Sequence, residues 1–419
     1  MRITIMALGS QGDVQPFAAL GAGLKKAGFA VRLASFENFR VMVERAGLDF
    51  HPVKGDVQAM LNTSGGMNLG ESGSNPIRFI RSMQRVFASL TQDYIDAFSA
   101  EVLFDSDLII NQIPSSLFGY ELAEKLGIPH IAAAVMPLAT TSAWPLCLLP
   151  SFSLGGWYNR LTYQAADQIG WRMMRAPINR FRQKIGLPPA PFVGHYRRMQ
   201  TVHMPVLNGF STHAVPRPAD WGDNIHVTGY WILDEPDWTP PADLTTFLDS
   251  GTPPIFFGFG SMPIRDTARL TAIILDALAK SGQRGILSSG WAGLAGDDLP
   301  DNVMQIGYTP YAWLFPRMAV VIHHGGSGTT GLALRSGVPS MIVPFLADQF
   351  YWGKRIAELG VSPGAIPHKK LTPDQLTRSI QAMVTDESMR TRAAVLGEKL
   401  RLENGIQNAL QIIQQIVSR

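Results

Sequence analysis

A glycine-rich segment at residues 323–330, HHGGSGTT, follows an apolar run and precedes a helical pattern. Such a turn can hold phosphate oxygens, because glycines let the backbone come close, N–H groups point outward and the helix N-terminus favours negative charge. An acid–amide pair, Asp348 and Gln349, stands one structural unit further along the chain. Together these residues predict a site for a phosphorylated donor that carries a polyhydroxylated group.

Asp13 is the acidic residue whose position is most suggestive of chemistry. It follows a glycine-containing turn, residues 9–12, at the tip of the first predicted strand. A carboxylate at this place commonly satisfies backbone N–H groups at a helix start, and that interpretation is the more common one. The alternative is a general base that accepts a proton from an attacking hydroxyl. The residues alone leave both interpretations open.

The donor-side residues also have purely structural interpretations. His324 stands at a strand end, where backbone groups alone can hold an imidazole, although the small residues beside it make a phosphate contact at least as plausible. A serine or threonine that caps a helix occupies the same place as a phosphate ligand. The pair at 348–349 can simply begin a helix after Pro344. These alternatives remain open at the level of residue types.

Composition and missing motifs exclude several classes of protein. The 419 residues carry a net charge of +3 with no concentrated basic patch, which argues against nucleic-acid binding. The first turn, residues 9–12, does not match the G-x-G-x-x-G fingerprint of dehydrogenases, and no acidic residue stands suitably at the end of the second predicted strand. No G-x-x-x-x-G-K-[ST] phosphate loop is present either. No cluster of metal-ligand residues stands out, so we expect neither a metal site nor a cofactor. Cys147 is the single cysteine, which is consistent with a reducing compartment.

Strand and helix patterns alternate in two series along the chain. Residues 3–8, 29–34 and 130–135 predict strands of the first series, and residues 254–259 and 319–323 predict strands of the second. Between the series, residues 214–241 are rich in proline and tryptophan and predict a connection. We therefore expect an α/β protein with two doubly wound, Rossmann-like domains that face each other across a cleft. Ligands in such sheets bind beyond the carboxyl ends of the strands, where both glycine-containing turns fall.

The region at residues 137–196 looks irregular and is rich in Trp, Met and Arg. Trp144 and Trp157 are either core packing or part of an apolar binding surface, and with Ser10 of the N-terminal turn they form the predicted acceptor region. Arginines in the same region predict either a solvated face or contacts with anionic lipid headgroups: Arg172, Arg175, Arg180 and Arg182. No targeting segment or spanning helix is evident, so we expect a cytoplasmic protein, with peripheral membrane contact an open alternative.

Spaced residues of the C-terminal half resemble the donor-binding signature of family 1 nucleotide-sugar glycosyltransferases, which have the GT-B fold. The matching residues are His324, Gly326, Thr329, Gly337-Val338-Pro339, Pro344 and Asp348-Gln349. The opening GSQGDVQP at residues 9–16 is similar to the branch of sterol glucosyltransferases and bacterial antibiotic glycosyltransferases. The run WLFP at residues 313–316, leading into HHGG, is also similar to the sterol branch.

The resemblance implies a role for each matching residue. His324 would contact the donor diphosphate, and Asp348 and Gln349 would bond the sugar hydroxyls. Asp13 would be the carboxylate that activates the acceptor. The phosphate cradle would be completed by Gly326, Ser327, Gly328 and Thr329. Three further donor contacts are implied: Ser261 from the opposite loop, Tyr308 stacking on uracil and Thr309 pairing with the base edge through its backbone.

The resemblance also implies a domain plan. An acceptor-binding domain would span residues 1–233 and a donor-binding domain residues 234–395, with residues 396–419 packing back on the first domain. The implied reaction is an inverting, metal-independent transfer of a hexose, with UDP-glucose favoured as co-substrate, to a sterol, lipid or polyketide hydroxyl. No nucleic acid or obligate protein partner is expected.

Two positions depart from the pattern of plant-type members: the first means that their His-Asp dyad does not transfer, and the second leaves the nucleotide less defined than the sugar transfer. Asp13 stands where plant-type members have a histidine base, and Leu332 stands where they have a glutamate that bonds the ribose. Two alternatives differ in class. One is a sugar-nucleotide epimerase of similar fold, which would need further acids and bases around the donor. The other is a non-catalytic donor-binding protein, which would have no use for Asp13.

Overall fold

Parallel strands form the framework of the structure, a computed structural model that describes residues 1–56, 76–113, 117–149, 152–191, 203–235, 237–260, 262, 266–290 and 299–418. Two separate sheets are present in these ranges, one with seven strands and one with five. Every strand pairing within them is parallel. Helices supply most of the crossovers that parallel pairing requires, whereas residues 209–224 join β6 to β7 without a helix. The predicted α/β class with two doubly wound domains is confirmed.

The first sheet has the strand order β3-β2-β1-β4-β5-β6-β7. Its strands are β1 Arg2–Met6, β2 Ala30–Phe36, β3 Asp49–Val53, β4 Leu108–Gln112, β5 His130–Ala134, β6 Val206–Asn208 and β7 Ile225–Val227. The helices of this part are α1 Gln11–Lys26, α2 Arg40–Arg45, α3 Pro76–Phe98, α4 Phe118–Leu126 and α5 Gly156–Lys184. Single turns of 3-10 helix lie at Glu37–Phe39 and Glu101–Asp105.

The second sheet has the order β10-β9-β8-β11-β12. Its strands are β8 Ile255–Gly258, β9 Gly285–Ser288, β10 Val303–Ile306, β11 Val320–His323 and β12 Ser340–Ile342. The helices that begin after β7 are α6 Ala242–Asp249, α7 Thr267–Ser281, α8 Tyr311–Leu314, α9 Ser327–Ser336, α10 Gln349–Glu358, α11 Pro373–Thr385, α12 Glu387–Leu402 and α13 Gly405–Val417. Short 3-10 turns lie at Phe315–Arg317 and His368–Lys370.

Each sheet reverses its strand order beside its first strand, and the reversal creates the crevice where ligands bind in open α/β sheets. In the first sheet β1 lies between β2 and β4, and in the second β8 lies between β9 and β11. The central strands are apolar and fully buried, as residues Ile3 and Ile5 of β1 and Ile322 of β11 illustrate. The chain leaves β1 and β11 at the crevice edge, which positions the two glycine-containing turns there.

The last helices tie the two halves together. Helix α13 packs on α1 of the first domain, where Ile406 lies directly against Gly23. The side-chain amide of Asn408 donates to the carbonyl of Thr228 at 2.8 Å. Helix α12 instead packs on α9 of the second domain. The predicted division between residues 233 and 234 falls in the connection between β7 and β8, and it stays a prediction.

The region predicted to be irregular, residues 137–196, contains the long helix α5. Its periodicity is hard to detect because apolar residues occur on both faces: Trp171 and Phe181 are buried, whereas Trp157 and Leu161 are exposed. Pro177 lies inside the helix and also obscures the pattern. The expectation of irregular structure was therefore wrong for residues 156–184.

Arg182 was expected on a solvated face or against lipid, and this expectation was wrong. The side chain is only 2% exposed and lies between the carboxylates of Glu121 and Glu124 of α4. Its Nη2 donates to Glu124 Oε1 at 3.0 Å, and its Nε donates to the Pro188 carbonyl at 2.6 Å. The guanidinium therefore fastens α5 to α4 inside the first domain.

Removing this guanidinium should destabilise the protein strongly. Arg182→Met takes the positive charge away from two carboxylates, one of them fully buried, and such losses cost about 3–5 kcal/mol. Urea unfolding followed by circular dichroism measures the change. Arg180→Met, in the same helix but exposed, is the matched control and should change stability little. Equal midpoints for the two variants would contradict a structural role for Arg182.

Candidate active site

The turn between β1 and α1 brings Asp13 back onto Ser10. Gly9 has a φ of 137°, and a Cβ there would lie 2.5 Å from Asp13 Oδ2, so only glycine fits. The backbone N–H of Ser10 donates to Asp13 Oδ2 at 2.8 Å, and the Ser10 hydroxyl donates to the same oxygen at 2.9 Å. The helix-capping role considered for Asp13 is therefore present in the structure.

The second carboxylate oxygen of Asp13 takes no part in capping the helix. Oδ1 accepts from the side-chain amide of Gln112, at the end of β4, at 3.3 Å. Burial raises the pKa of Asp13, against the opposing effect of the hydrogen bonds from Ser10 and Gln112. A raised pKa improves a carboxylate as a proton acceptor near neutral pH. Structural and catalytic roles are thus compatible in one side chain.

Two adjacent histidines at the end of β11 have different environments. His323 is fully buried, and its Nδ1 accepts from the Gly325 N–H at 3.1 Å, which places its proton on Nε2. Burial lowers the pKa of His323 well below its usual range. His324 is partly exposed, and its Nδ1 is buried with no hydrogen-bond partner among the described residues. The described residues therefore leave the hydrogen-bonding capacity of this nitrogen unsatisfied within the usual geometric limits.

The His324 ring is neutral at physiological pH. Burial lowers its pKa to about 4, although the Gly258 carbonyl partly opposes the shift. Glycines surround the ring: a Cβ on Gly326 would lie 2.5 Å from Nε2, and a Cβ on Gly260 would lie 2.9 Å from Cε1. A neutral ring carries one N–H, so His324 can offer a phosphate at most one donated hydrogen bond and no positive charge.

Helix α9 begins at the cleft with an N-terminus that no side chain caps. Gly325, with a φ of 96°, makes the turn, and a Cβ there would lie 2.6 Å from Ile342 Cγ2. The start of α9 faces the start of α1, because a Cβ on Gly328 would lie 3.7 Å from the Gly12 carbonyl oxygen. Uncapped N–H groups at a helix start form an anion site.

Two hydroxyls at the start of α9 bond to protein carbonyls, and one of them belongs to Ser327, which was predicted to contact phosphate. The Ser327 hydroxyl donates to the carbonyl of Val135 in the first domain. Thr330 Oγ1 donates to the Gly326 carbonyl at 2.9 Å within the helix. Thr329 is partly exposed beside them. In this arrangement the backbone of residues 326–329, together with Thr329, is open to a phosphate, whereas Ser327 joins the domains.

Asp348 and Gln349 lie where a strained turn meets α10, which begins at Gln349. Ala347 has a φ of 51°, a region that residues with a side chain rarely adopt. The turn is held by Gln349 Oε1, which accepts from the N–H groups of Phe345 at 2.7 Å and Leu346 at 3.1 Å. Asp348 Oδ2 accepts from Trp352 Nε1 at 3.1 Å. Gln349 thus has a structural role in shaping the loop, in addition to the predicted contact with the sugar.

The carboxylates of Asp13 and Asp348 come from different domains, and the negative charge of Asp13 acts on Asp348 across the cleft. The pKa of Asp348 is raised to about 7, first by burial and then by the negative charge of Asp13. The Trp352 hydrogen bond opposes this shift. The structure therefore brings the predicted base and the predicted sugar-binding acid together at one place, which sequence spacing alone could not establish.

This coupling predicts a pH-dependent stability. The folded protein retains the Asp348 proton up to about pH 7, whereas the unfolded chain releases it at about pH 4, so this carboxyl's contribution falls as the pH rises through that window. In Asp348→Asn the free energy of unfolding should depend less on pH, by up to about 1.4 kcal/mol per pH unit. Urea unfolding between about pH 4 and about pH 8 measures it. Asp237→Asn, an exposed carboxylate, is the control, and identical slopes for wild type and Asp348→Asn would show that the pKa of Asp348 is not raised.

The predicted nucleobase residues lie at the edge of the second sheet. The Tyr308 side chain is 59% exposed, and its hydroxyl donates to the Glu235 carboxylate at 2.7 Å. Thr309 is buried. Leu332 packs in the apolar cluster with Phe256 and Ala333, so it offers no polar group to a ribose. Ser261, predicted to reach the donor from the opposite loop, lies outside the described residues.

Glu235 is a candidate that the sequence analysis missed. It lies in the connection between the sheets, where an acid among prolines carries no recognisable motif. Only the fold brings its carboxylate to Tyr308, which is 73 residues away in the chain. It fixes the position of the ring that was predicted to stack on the base.

The predicted acceptor residues are not grouped together. Ser10 adjoins Asp13, whereas Trp144 packs between Trp221 of the first domain and Tyr351 of the second, with ring centroids 6.2 and 6.4 Å away. Trp144 and Tyr351 also line an interdomain cavity of about 150 Å³. Trp157 is exposed at the start of α5. Trp144 thus contributes to domain packing as well as to a cavity wall.

Within the described residues, no helix is both long and apolar enough to cross a bilayer. The same ranges contain no group of three or more His, Cys, Asp or Glu side chains arranged to hold a metal ion.

Comparison with known proteins places the chain in a family. Residues 3–145 match the glycosyltransferase family 28 N-terminal domain, and residues 287–410 match the erythromycin biosynthesis protein CIII-like C-terminal domain. The chain is 36% identical over 99% of its length to the sterol 3-beta-glucosyltransferase of Aspergillus clavatus, and 35% identical over 99% to that of Cryptococcus neoformans var. neoformans. It spans only 29% and 27% of the lengths of these two relatives.

Solved structures share the fold at low sequence identity. The calicheamicin glycosyltransferase CalG4 superposes with a TM-score of 0.72 at 17% identity, covering 100% of this chain and 98% of that one. The spinosyn rhamnosyltransferase SpnG complexed with thymidine diphosphate gives 0.63 at 17% identity, covering 99% and 100%. The GT-B fold is confirmed. The chain belongs to the GT-B glycosyltransferases, in the branch that contains the sterol glucosyltransferases and the antibiotic glycosyltransferases.

Proposed function

We propose that this protein moves a hexose from a nucleotide sugar, with UDP-glucose favoured, to a hydroxyl of an apolar acceptor such as a sterol. The observation that carries the proposal is the meeting of Asp13, from the first domain, with Asp348 and the uncapped start of α9, from the second. An acid and an anion site on opposite walls of one cleft suit a displacement between an acceptor and a phosphorylated donor. The sterol glucosyltransferase relatives support the acceptor class.

The proposed reaction is a single displacement. The acceptor hydroxyl gives its proton to Asp13, and its oxygen forms a bond to the anomeric carbon as the bond from that carbon to the diphosphate oxygen breaks. The leaving diphosphate takes the electron pair, and its charge is stabilised by the N–H groups of α9 and by the N–H of His324. Attack opposite the leaving group inverts the anomeric configuration.

The proposed donor site uses the second domain. Asp348 and Gln349 bind the sugar hydroxyls, and Tyr308 stacks on the base, held by Glu235. The intact acid–amide pair favours glucose as the sugar. The related SpnG structure is complexed with thymidine diphosphate, which supports a nucleoside diphosphate as the ligand of this cleft. It does not identify the base that this protein binds. Because Leu332 offers no polar group to the ribose, UDP and dTDP donors have to be distinguished by experiment.

The proposed mechanism needs no metal ion, because N–H groups stabilise the leaving diphosphate. Initial rates with UDP-glucose should therefore be equal in EDTA and in Mg²⁺. A rate that EDTA abolishes and Mg²⁺ restores would show that a cation shares the diphosphate charge, and it would refute this part of the proposal without refuting the transfer itself.

A direct assay tests the function. The full chain is incubated with UDP-glucose or dTDP-glucose and a panel of sterols, lipid alcohols and polyketides, and mass spectrometry detects acceptors that gain one hexose. We expect the gain with a sterol-like acceptor and a higher rate with UDP-glucose. Epimerised donor without any acceptor would indicate an epimerase instead. Donor binding with no turnover on the whole panel would indicate a non-catalytic donor-binding protein.

A further inference from the structure

Large apolar side chains are exposed in one short stretch of the first domain. Phe152 and Trp157 are 59% and 67% exposed, and three aliphatic residues nearby in the sequence are exposed as well. We refer to these five residues as the apolar patch: Phe152, Leu154, Trp157, Leu161 and Ile169. Contiguous exposed apolar surface of this kind marks an interaction site in a folded protein.

The rings of the patch pack against one another on the outside of the protein. The centroid of the Tyr158 ring lies 6.0 Å from that of Phe152 and 6.1 Å from that of Trp157, both in edge-to-face geometry. The opposite face of α5 already meets the core through Trp171, Ile178 and Phe181. The outward residues therefore add nothing to the core, and their apolar area is left for a partner to cover.

The exposed face of α5 continues from apolar to basic residues. Trp157, Leu161 and Ile169 recur at intervals of four and eight residues, which places them along one face, and exposed Arg172 and Arg180 follow toward the C-terminus. Along α5, all of which the structure describes, the exposed residues include no carboxylate, since the helix's single acid, Asp167, is partly buried. Exposed apolar side chains followed by arginines on one face suit contact with an anionic membrane surface.

We propose that the apolar patch docks the protein on the surface of a lipid bilayer, with Arg172 and Arg180 against anionic headgroups. Tryptophan and phenylalanine insert favourably at the headgroup level, and aliphatic side chains bury beside them. Cations attract the negative surface of the leaflet. The exposed residues of α5 are apolar, basic or uncharged and none is acidic, so this helix presents a positive charge that suits anionic headgroups.

The patch is anchored to the wall of the interdomain cavity. The Asn159 amide donates to the Ser142 carbonyl at 2.8 Å, and the Leu146 N–H donates to Thr162 Oγ1 at 2.9 Å. The segment held in this way, residues 142–146, forms part of the cavity wall through Trp144, and the next residue, Cys147, also lines the cavity. If the proposed function holds, docking would place the cleft beside acceptors dissolved in the bilayer.

Vesicle flotation of the full chain tests the docking. We expect binding to phosphatidylcholine vesicles that contain phosphatidylserine, and a decrease of about tenfold or more for Phe152→Ser/Leu161→Ser, because two exposed apolar side chains lose their burial in lipid. Val395→Ser/Leu402→Ser, which removes two exposed apolar side chains from α12, is the matched control and should bind as wild type. Arg172→Gln/Arg180→Gln should weaken binding only to the anionic vesicles.

The outcomes separate this proposal from the proposed function. With a cyclodextrin-solubilised sterol, Phe152→Ser/Leu161→Ser should glucosylate at the wild-type rate, and with the same sterol in vesicles it should be slower. Wild type that does not float, or a patch variant that floats like the control, would overturn the docking. A patch that instead holds two copies together, shown by sedimentation equilibrium, would also overturn it. Vesicle binding without any sugar transfer would leave docking intact and refute the enzymatic proposal.

Discussion

Asp13→Asn should lower kcat by about 10²–10⁴, the usual contribution of a positioned general base. The amide keeps an oxygen that can accept the Ser10 N–H, so the start of α1 is retained while the proton acceptor is lost. Binding of UDP, measured by calorimetry, should change little, because the donor residues lie in the other domain. The loss should therefore appear in kcat and not in donor affinity.

A matched variant separates catalysis from capping. Asp386 begins α12 with the same kind of bond, accepting from the Met389 N–H at 2.9 Å, and it belongs to the second domain. Asp386→Asn should retain wild-type kcat with at most a small loss of stability. If Asp13→Asn turned over as fast as Asp386→Asn, Asp13 would be a helix cap and nothing more.

His324→Ala should lower kcat by about 10²–10³, the effect of removing one donor from a site of developing negative charge. Because burial lowers the pKa of His324 to about 4, the neutral ring contributes an N–H group, and His324→Gln should recover part of the rate by offering an amide N–H. Steady-state kinetics with UDP-glucose measures both variants.

A charged imidazole would behave differently. If His324 acted as a cation, His324→Gln would be as slow as His324→Ala, and the wild-type rate would fall as the ring lost its proton near its ordinary pKa. His323→Gln, beside it, gives no clean control, since that ring is fully buried and bonds the Gly325 N–H. Thr330→Val is better suited, because its hydroxyl bonds only within α9 among the described residues.

The local chemistry of the sequence was enough to predict the two sheets and the turns at their edges. Buried parallel strands such as β1 and β11 are continuous apolar runs, and glycines with positive φ follow both. The three-residue strands β6 and β7 escaped detection because so short a segment has no measurable period. Helix α5 escaped because its apolar residues serve two surfaces, the core and the exposed patch.

The site was predicted in its residue types but not in its contacts. Spacing identified Asp13, His324, Asp348 and Gln349. It could not show that the charge of Asp13 helps to raise the pKa of Asp348, since that depends on how the two domains face each other. It could not show that the Ser327 hydroxyl donates to the Val135 carbonyl or that the Tyr308 hydroxyl donates to Glu235. Such long-range pairs arise from tertiary packing, which no local pattern encodes.

The same packing gives single residues two roles. Gln349 holds the strained Ala347 turn through its carbonyl oxygen and is also predicted to bind the sugar. Asp13 caps α1 and is proposed as the base. Side chains already fixed by structural hydrogen bonds need little reordering when substrate binds, which favours precise positioning of the reacting groups.

The anomeric configuration of the product tests the central claim most directly. The claim is that an acceptor oxygen activated by Asp13 displaces the diphosphate in one step across the cleft. The α-linked donor UDP-glucose and a sterol acceptor are incubated with the full chain, and proton NMR of the purified glycoside reports the anomeric coupling. We predict a β-glucoside as the single product. An α-glucoside, or a mixture of anomers, would contradict the single displacement.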